Sequence, residues 1–112
     1  MFVHINKIDR KLVLDQIDKG QYRDVFLNNS AKLSQFLKNK LNLNKMLGTL
    51  IEEGHKQKIL DNYQYKFLSK MNNERVGVVH IEEGIKANYS VQDLIEWTNM
   101  IFDLCEKKET KK

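Results

Sequence analysis

Apolar residues return at steps of three and four along most of the chain, the spacing of a helix face turned towards a core. Ile8, Leu12 and Ile17, with Val13 and Leu14 beside them, predict a short first helix over about Lys7 to Lys19, stopped by Gly20. Tyr22, Val25, Phe26, Leu33, Phe36, Leu37 and Leu41 form a longer run that the polar triplet Asn28-Asn29-Ser30 interrupts. Val25 and Leu33 stay nearly in phase across the triplet, which favours one continuous helix over two helices meeting at a cap. Asn42 and Asn44 mark a linker, after which Met46, Leu47, Leu50 and Ile51 predict a compact third helix ended by Gly54. From Lys56 onwards, Ile59, Leu60, Tyr63, Phe67, Leu68 and Met71 predict the longest helix, which extends through Arg75 to Val78 and Val79. Gly77, set among three stiff valines, weakens its last turns by about 1 kcal/mol relative to alanine. Glu82 to Asn88 reads as a loop, and Ser90-Val-Gln-Asp93 as a capping box with Asp in place of Glu or Gln. Leu94, Ile95, Trp97, Ile101, Leu104 and Cys105 then carry a final helix up to a charged tail that begins at Glu106. At the other end, Phe2, Val3 and Ile5 alternate with polar neighbours as a brief extended lead-in.

The expected architecture is all-α: a single helical bundle of four main helices plus a short one over residues 1–106, with a charged tail at 107–112. The chain has 112 residues, enough for one core and not for two. Proline is absent, which removes the commonest helix breaker and strengthens the helical reading. Seven aromatics, Tyr22, Phe26, Phe36, Tyr63, Phe67, Trp97 and Phe102, fall mostly at helical spacing and are expected in the core; Tyr65 and Tyr89 are expected to be more exposed.

Charge changes the picture little. Lys+Arg 19 against Asp+Glu 15 leaves +4, and Lys107, Lys108, Lys111 and Lys112 equal that excess, so the balance itself does not identify a nucleic-acid partner. A single cysteine, Cys105, excludes an internal disulfide framework and lies on an apolar stripe, as a core residue would. No apolar run approaches the roughly 20 residues of a membrane span, and no signal-like segment opens the chain, so the expectation is a cytoplasmic protein. Phosphate-cradling glycine loops, paired-cysteine zinc patterns and a serine in a glycine elbow are all missing from the sequence. His4 and His55 have no acidic or cysteine neighbours at ligand spacing, and no metal or cofactor is expected.

The most chemically pointed stretch is Met71 to Gly84, which holds Arg75 and, after four intervening residues, His80. Arginine supplies a permanent forked positive charge and histidine exchanges a proton near neutral pH, a minimal kit for cleaving a phosphodiester. Five positions along an ideal helix turn about 140°, so the two side chains do not share a face of one straight helix. Their convergence calls for a break near Gly77, a helix ending at His80, or a second copy that completes the site.

A bundle whose long helix ends in Arg75-Val-Gly-Val-Val-His80, followed by a loop and a capped terminal helix, resembles the HEPN superfamily of higher-eukaryote and prokaryote nucleotide-binding domains. Asn44 to Gly54 is similar to the short helix that precedes the motif in several such families. The resemblance implies a homodimer acting as a metal-independent endoribonuclease in toxin–antitoxin or antiphage defence settings, with RNA as substrate and an antitoxin or larger effector as partner. On that reading His80 acts on the ribose 2′-hydroxyl or the leaving oxygen, Arg75 holds the scissile phosphate, and Asn73 and Glu74 assist in binding substrate by hydrogen bonds. Two departures stand out: Val76 follows Arg75 where many catalytic members have a polar residue, and Glu82 stands where members paired with a nucleotidyltransferase antitoxin often have Tyr. The competing readings are a non-catalytic helical interaction subunit, in which Arg75 and His80 are structural, and a nucleic-acid-binding regulator, which the Asn-rich stretch from Asn39 to Asn44 suggests faintly.

Overall fold

The computed structural model describes residues 8–79 and 89–110, with side chains for 8–74 and 89–106. Among the described residues there are five helices and no strand: α1 (Arg10–Asp18), α2 (Tyr22–Leu41), α3 (Leu47–Lys56), α4 (Asn62–Val79) and α5 (Val91–Thr110). The all-α expectation holds. The extended lead-in at Phe2 to Ile5 and the loop at Glu82 to Asn88 lie outside the described residues.

Helix α2 is the axis of the bundle. It touches each of the other four helices, and its neighbours α1, α5, α4 and α3 contact one another in that order around it. The polar triplet does not break it, because Asn29 and Ser30 fall on the same buried face as Val25, Phe26, Leu33 and Leu37 and turn inward with them. Asn29 donates from Nδ2 to Thr98 Oγ1 at 2.9 Å, and Thr98 Oγ1 donates to the Leu94 carbonyl at 2.8 Å, so a polar chain links α2 to α5 inside the core. Between the same two segments Phe26 packs against Trp97 and Tyr89, with ring centroids 4.9 and 5.2 Å away.

Two boundaries differ from the sequence expectation for one reason. Gly54 does not end α3; it lies buried inside it, where a Cβ would sit 3.2 Å from Leu60 Cδ1 and 3.3 Å from Leu37 Cδ2. The glycine serves close packing, and α3 runs on to Lys56. The chain then reverses through Lys58 in the left-handed region (φ 64°), with the amides of Ile59 and Leu60 both donating to the Gly54 carbonyl. Consequently α4 starts at Asn62 and not at Lys56, behind a reciprocal cap in which Asp61 N–H donates to Gln64 Oε1 (2.9 Å) and Gln64 N–H to Asp61 Oδ1 (2.7 Å).

The aromatic expectation also needs correction. Tyr63 is 57% exposed and its hydroxyl donates to Glu96, whereas Tyr65 and Tyr89 are partly buried against the core. Cys105 is likewise partly buried and packs on the core.

At the start of α5 the expected box is complete: Asp93 N–H donates to Ser90 Oγ (3.1 Å) and Ser90 N–H to Asp93 Oδ2 (3.0 Å), while Lys70 Nζ reaches the same oxygen from α4 at 3.2 Å. The backbone amide of Ser90, and then Lys70, hold the Asp93 carboxyl below the usual carboxylate range despite some desolvation. A lowered folded pKa gives stability that is present above the unfolded carboxyl pKa and is lost as pH falls through the folded value. Ser90→Ala should therefore cost about 1 kcal/mol at neutral pH. Asp93→Asn should flatten the acid side of the stability curve, read from urea midpoints at successive pH values; an unchanged acid limb would remove Asp93 from it. The backbone of α5 stays helical through Thr110, past the point where charged residues take over.

Candidate functional site

Arg75 lies in the last turns of α4, whose backbone is helical at Gly77 and on through Val79. The expected weakness at Gly77 does not open the helix. Of the routes to convergence, unwinding near Gly77 is thereby removed, which leaves a helix end at His80 or a second copy. The Arg75 side chain and the whole of His80 lie outside the described residues.

The two residues before Arg75 face different ways. Asn73 is exposed and lines a groove between α2, the approach to α3, and α4. Glu74, about 100° further round the helix, lies towards the start of α5. There it helps, after desolvation and Tyr22, to push the Tyr89 hydroxyl above its ordinary pKa. Asn73 and Glu74 are thus not brought together: Asn73 lines the groove and Glu74 is not part of its lining.

That groove is an open trough of about 1140 Å³. One wall is the stripe Leu27, Ser30, Ala31, Ser34 and Lys38 of α2, spaced by the helical repeat. The opposite wall comes from Tyr65, Ser69, Asn72 and Asn73 of α4, and the N-terminal end of α3 closes it between them. Tyr65 is fixed by a parallel stack on His55 (centroids 4.2 Å apart, 9° between planes), and His55 Nε2 lies 2.7 Å from Asn62 Oδ1. His55 thus joins the end of α3 to the start of α4. No cluster of metal-ligating side chains occurs among the described residues.

Three features of the trough went unread in the sequence. Met46, expected to mark a core-facing position, is 79% exposed and occupies the N-cap of α3 with extended backbone and no side-chain cap hydrogen bond. Gly48, on the first turn, faces Asn72, whose Nδ2 would be 3.6 Å from an added Cβ. Ser30 Oγ and Asn72 Oδ1 are buried in the trough with no hydrogen-bond partner. The available signal was negative: Asn44-Lys45-Met46-Leu47 offers no Ser, Thr, Asp or Asn at the position where α3 begins.

No protein-family model, curated protein or solved structure matches this chain. Among the described residues no helix is long and apolar enough to cross a membrane.

Proposed function

We propose that the protein is an HEPN-like domain acting as a metal-independent endoribonuclease, cytoplasmic and dimeric, with Arg75 and His80 as its working pair. The observation that carries the reading is the order of elements: an all-α bundle in which the long helix α4 delivers Arg75 in its last turns, shortly before a short connection to a capped terminal helix. Continuous helix through Gly77 sets unwinding there aside, and leaves a helix end at His80 or a second copy as the ways to complete the site.

In the proposed chemistry the ribose 2′-oxygen attacks the adjacent phosphorus as its proton is removed. The bond to the 5′-oxygen breaks and that oxygen takes up a proton, leaving a 2′,3′-cyclic phosphate and a 5′-hydroxyl. His80 handles one of the two proton transfers, and the Arg75 guanidinium holds the phosphate oxygens as charge accumulates on them. Asn73, exposed on the rim of the trough, is the residue best situated to hold RNA beside the pair. An antitoxin or larger effector is the expected regulatory partner.

A second reading, a non-catalytic interaction subunit, draws support from the rim of the same trough, where Leu27 and Met46 are 59% and 79% exposed. RNA cleavage separates the two. Purified wild type should cut single-stranded RNA in the presence of EDTA to 2′,3′-cyclic ends, and Arg75→Ala and His80→Ala, shown to be equally folded, should each lose at least about 100-fold in rate. Intact RNA with the wild type, or equal cutting by all three, would move the assignment to the interaction subunit.

A further inference from the structure

The first turn of any α-helix presents backbone N–H groups without intrahelical partners, and the aligned peptide dipoles add a partial positive charge there. In α3 a side-chain cap does not quench them. Met46 cannot accept a hydrogen bond from the amides of Leu47, Gly48 and Thr49, and Gly48 has no side chain to screen the backbone. Three other starts are capped, with Asp9 accepting from Leu12 N–H at 2.8 Å on α1 and Asp61 and Ser90 capping α4 and α5, while α2 starts behind Gln21 with no side-chain cap, as α3 does behind Met46.

An open helix start is common and does not by itself make a site. What singles out this one is the wall opposite. Ser30 is only 7% exposed, lies on the α2 stripe that lines the trough, and its hydroxyl has no partner. A buried, unused hydroxyl is costly unless something satisfies it. On the α4 side the donor end of the Asn72 amide, Nδ2, faces Gly48, while its Oδ1 is an acceptor and takes no part in holding an anion. Lys38 and Lys45 line the same trough and form no ion pair among the described residues, against one carboxylate in the lining, Glu52. Donors from α2 and from the first turn of α3, with a net positive lining, suit a tetrahedral anion that accepts many hydrogen bonds.

We infer that the trough between α2, α3 and α4 binds a phosphoryl group, seated on the free amides of Leu47, Gly48 and Thr49 and held by Ser30 and the Lys38 and Lys45 ammonium groups. The site uses neither Arg75 nor His80, so it stands or falls independently of the ribonuclease reading. Its natural ligand is a phosphate ester, either a free nucleotide or the backbone of RNA.

The test is a titration of the ¹⁵N-labelled full chain with inorganic phosphate at constant ionic strength, followed by amide shifts. Saturable shifts should centre on Leu47, Gly48 and Thr49. Ser30→Ala should weaken the affinity by about fivefold. Met46→Asp is the decisive variant, because an aspartate at the N-cap occupies the same amides from within the chain: binding should disappear while the melting temperature rises by about 4 °C. Parallel titrations with a nucleoside 5′-monophosphate and with a short RNA lacking terminal phosphates identify the source, as the ligand that binds more tightly than inorganic phosphate. Absence of saturable shifts in the first turn of α3, or unchanged affinity in a more stable Met46→Asp, would overturn the assignment.

Discussion

Trp97→Ala should lower the stability of this protein by about 3–5 kcal/mol, a large part of the roughly 5–15 kcal/mol that holds a domain of ordinary size together. Trp97 is 1% exposed, on the face of α5 that meets α2, with its ring 4.9 Å from that of Phe26. Truncation removes that contact and leaves a void that the neighbouring helices cannot fill, since α2 is fixed by all four other helices. The indole also carries a cost of its own: Nε1 is buried with no partner. Trp97→Phe, which keeps much of the ring volume and deletes the orphan N–H, should accordingly lose far less than the alanine variant. Urea unfolding followed by circular dichroism reads both. A loss under about 1 kcal/mol for Trp97→Ala would mean that α5 does not seat on α2 as described.

The polar chain beneath it makes a prediction of opposite character. Thr98→Val removes the acceptor of the Asn29 amide, at a site where both residues are fully buried. Asn29 Oδ1 already lacks a partner, so the variant leaves the whole carboxamide unsatisfied and should cost about 1–3 kcal/mol. Adding Asn29→Leu to Thr98→Val then removes the unsatisfied group altogether, and the double variant should be more stable than Thr98→Val alone. Asn29→Leu by itself should cost little, because Thr98 retains its bond to the Leu94 carbonyl. The four urea midpoints form a double-mutant cycle. Costs that simply add would show that the two side chains do not depend on each other.

Much of the fold was legible because periodicity survives local noise. The Asn28-Asn29-Ser30 triplet looked like a break, yet the phase from Val25 to Leu33 carried through it, and the structure turns two of the three residues inward. The box at Ser90 was readable since both of its partners lie within four residues. Gly54 misled because a glycine that ends a helix and one that admits a neighbouring leucine look alike in sequence; the leucines in question, Leu37 and Leu60, come from different segments. Met46 misled in the same way, since an apolar residue at helical phase does not announce that it stands outside the first turn.

The candidate site was legible in part. Arg75 and Asn73 fall at the expected end of α4, but the same helix sends Asn73 and Glu74 to different surfaces, a division that becomes visible only once α5 is in position beside α4. The trough itself has no sequence signature. Its walls come from residues near 30, 47 and 72, and the unused hydroxyl of Ser30 is conspicuous only because those three segments enclose it.

Arg10 on α1 donates to Asn99 at 3.1 Å and to Asp103 at 2.7 Å, and lies 3.1 Å from Glu106, all on α5. These are partners 89 and 93 residues away for the two hydrogen bonds, so the seat of α1, which α2 begins, is completed only by α5. During synthesis, which proceeds from the N-terminus, α1 emerges first and must wait with Val13 and Ile17 incompletely covered until α5 has been made. The early framework therefore falls to α1 through α4, where α1, α3 and α4 each pack on α2 across short stretches of chain, and the core closes only when α5 joins them.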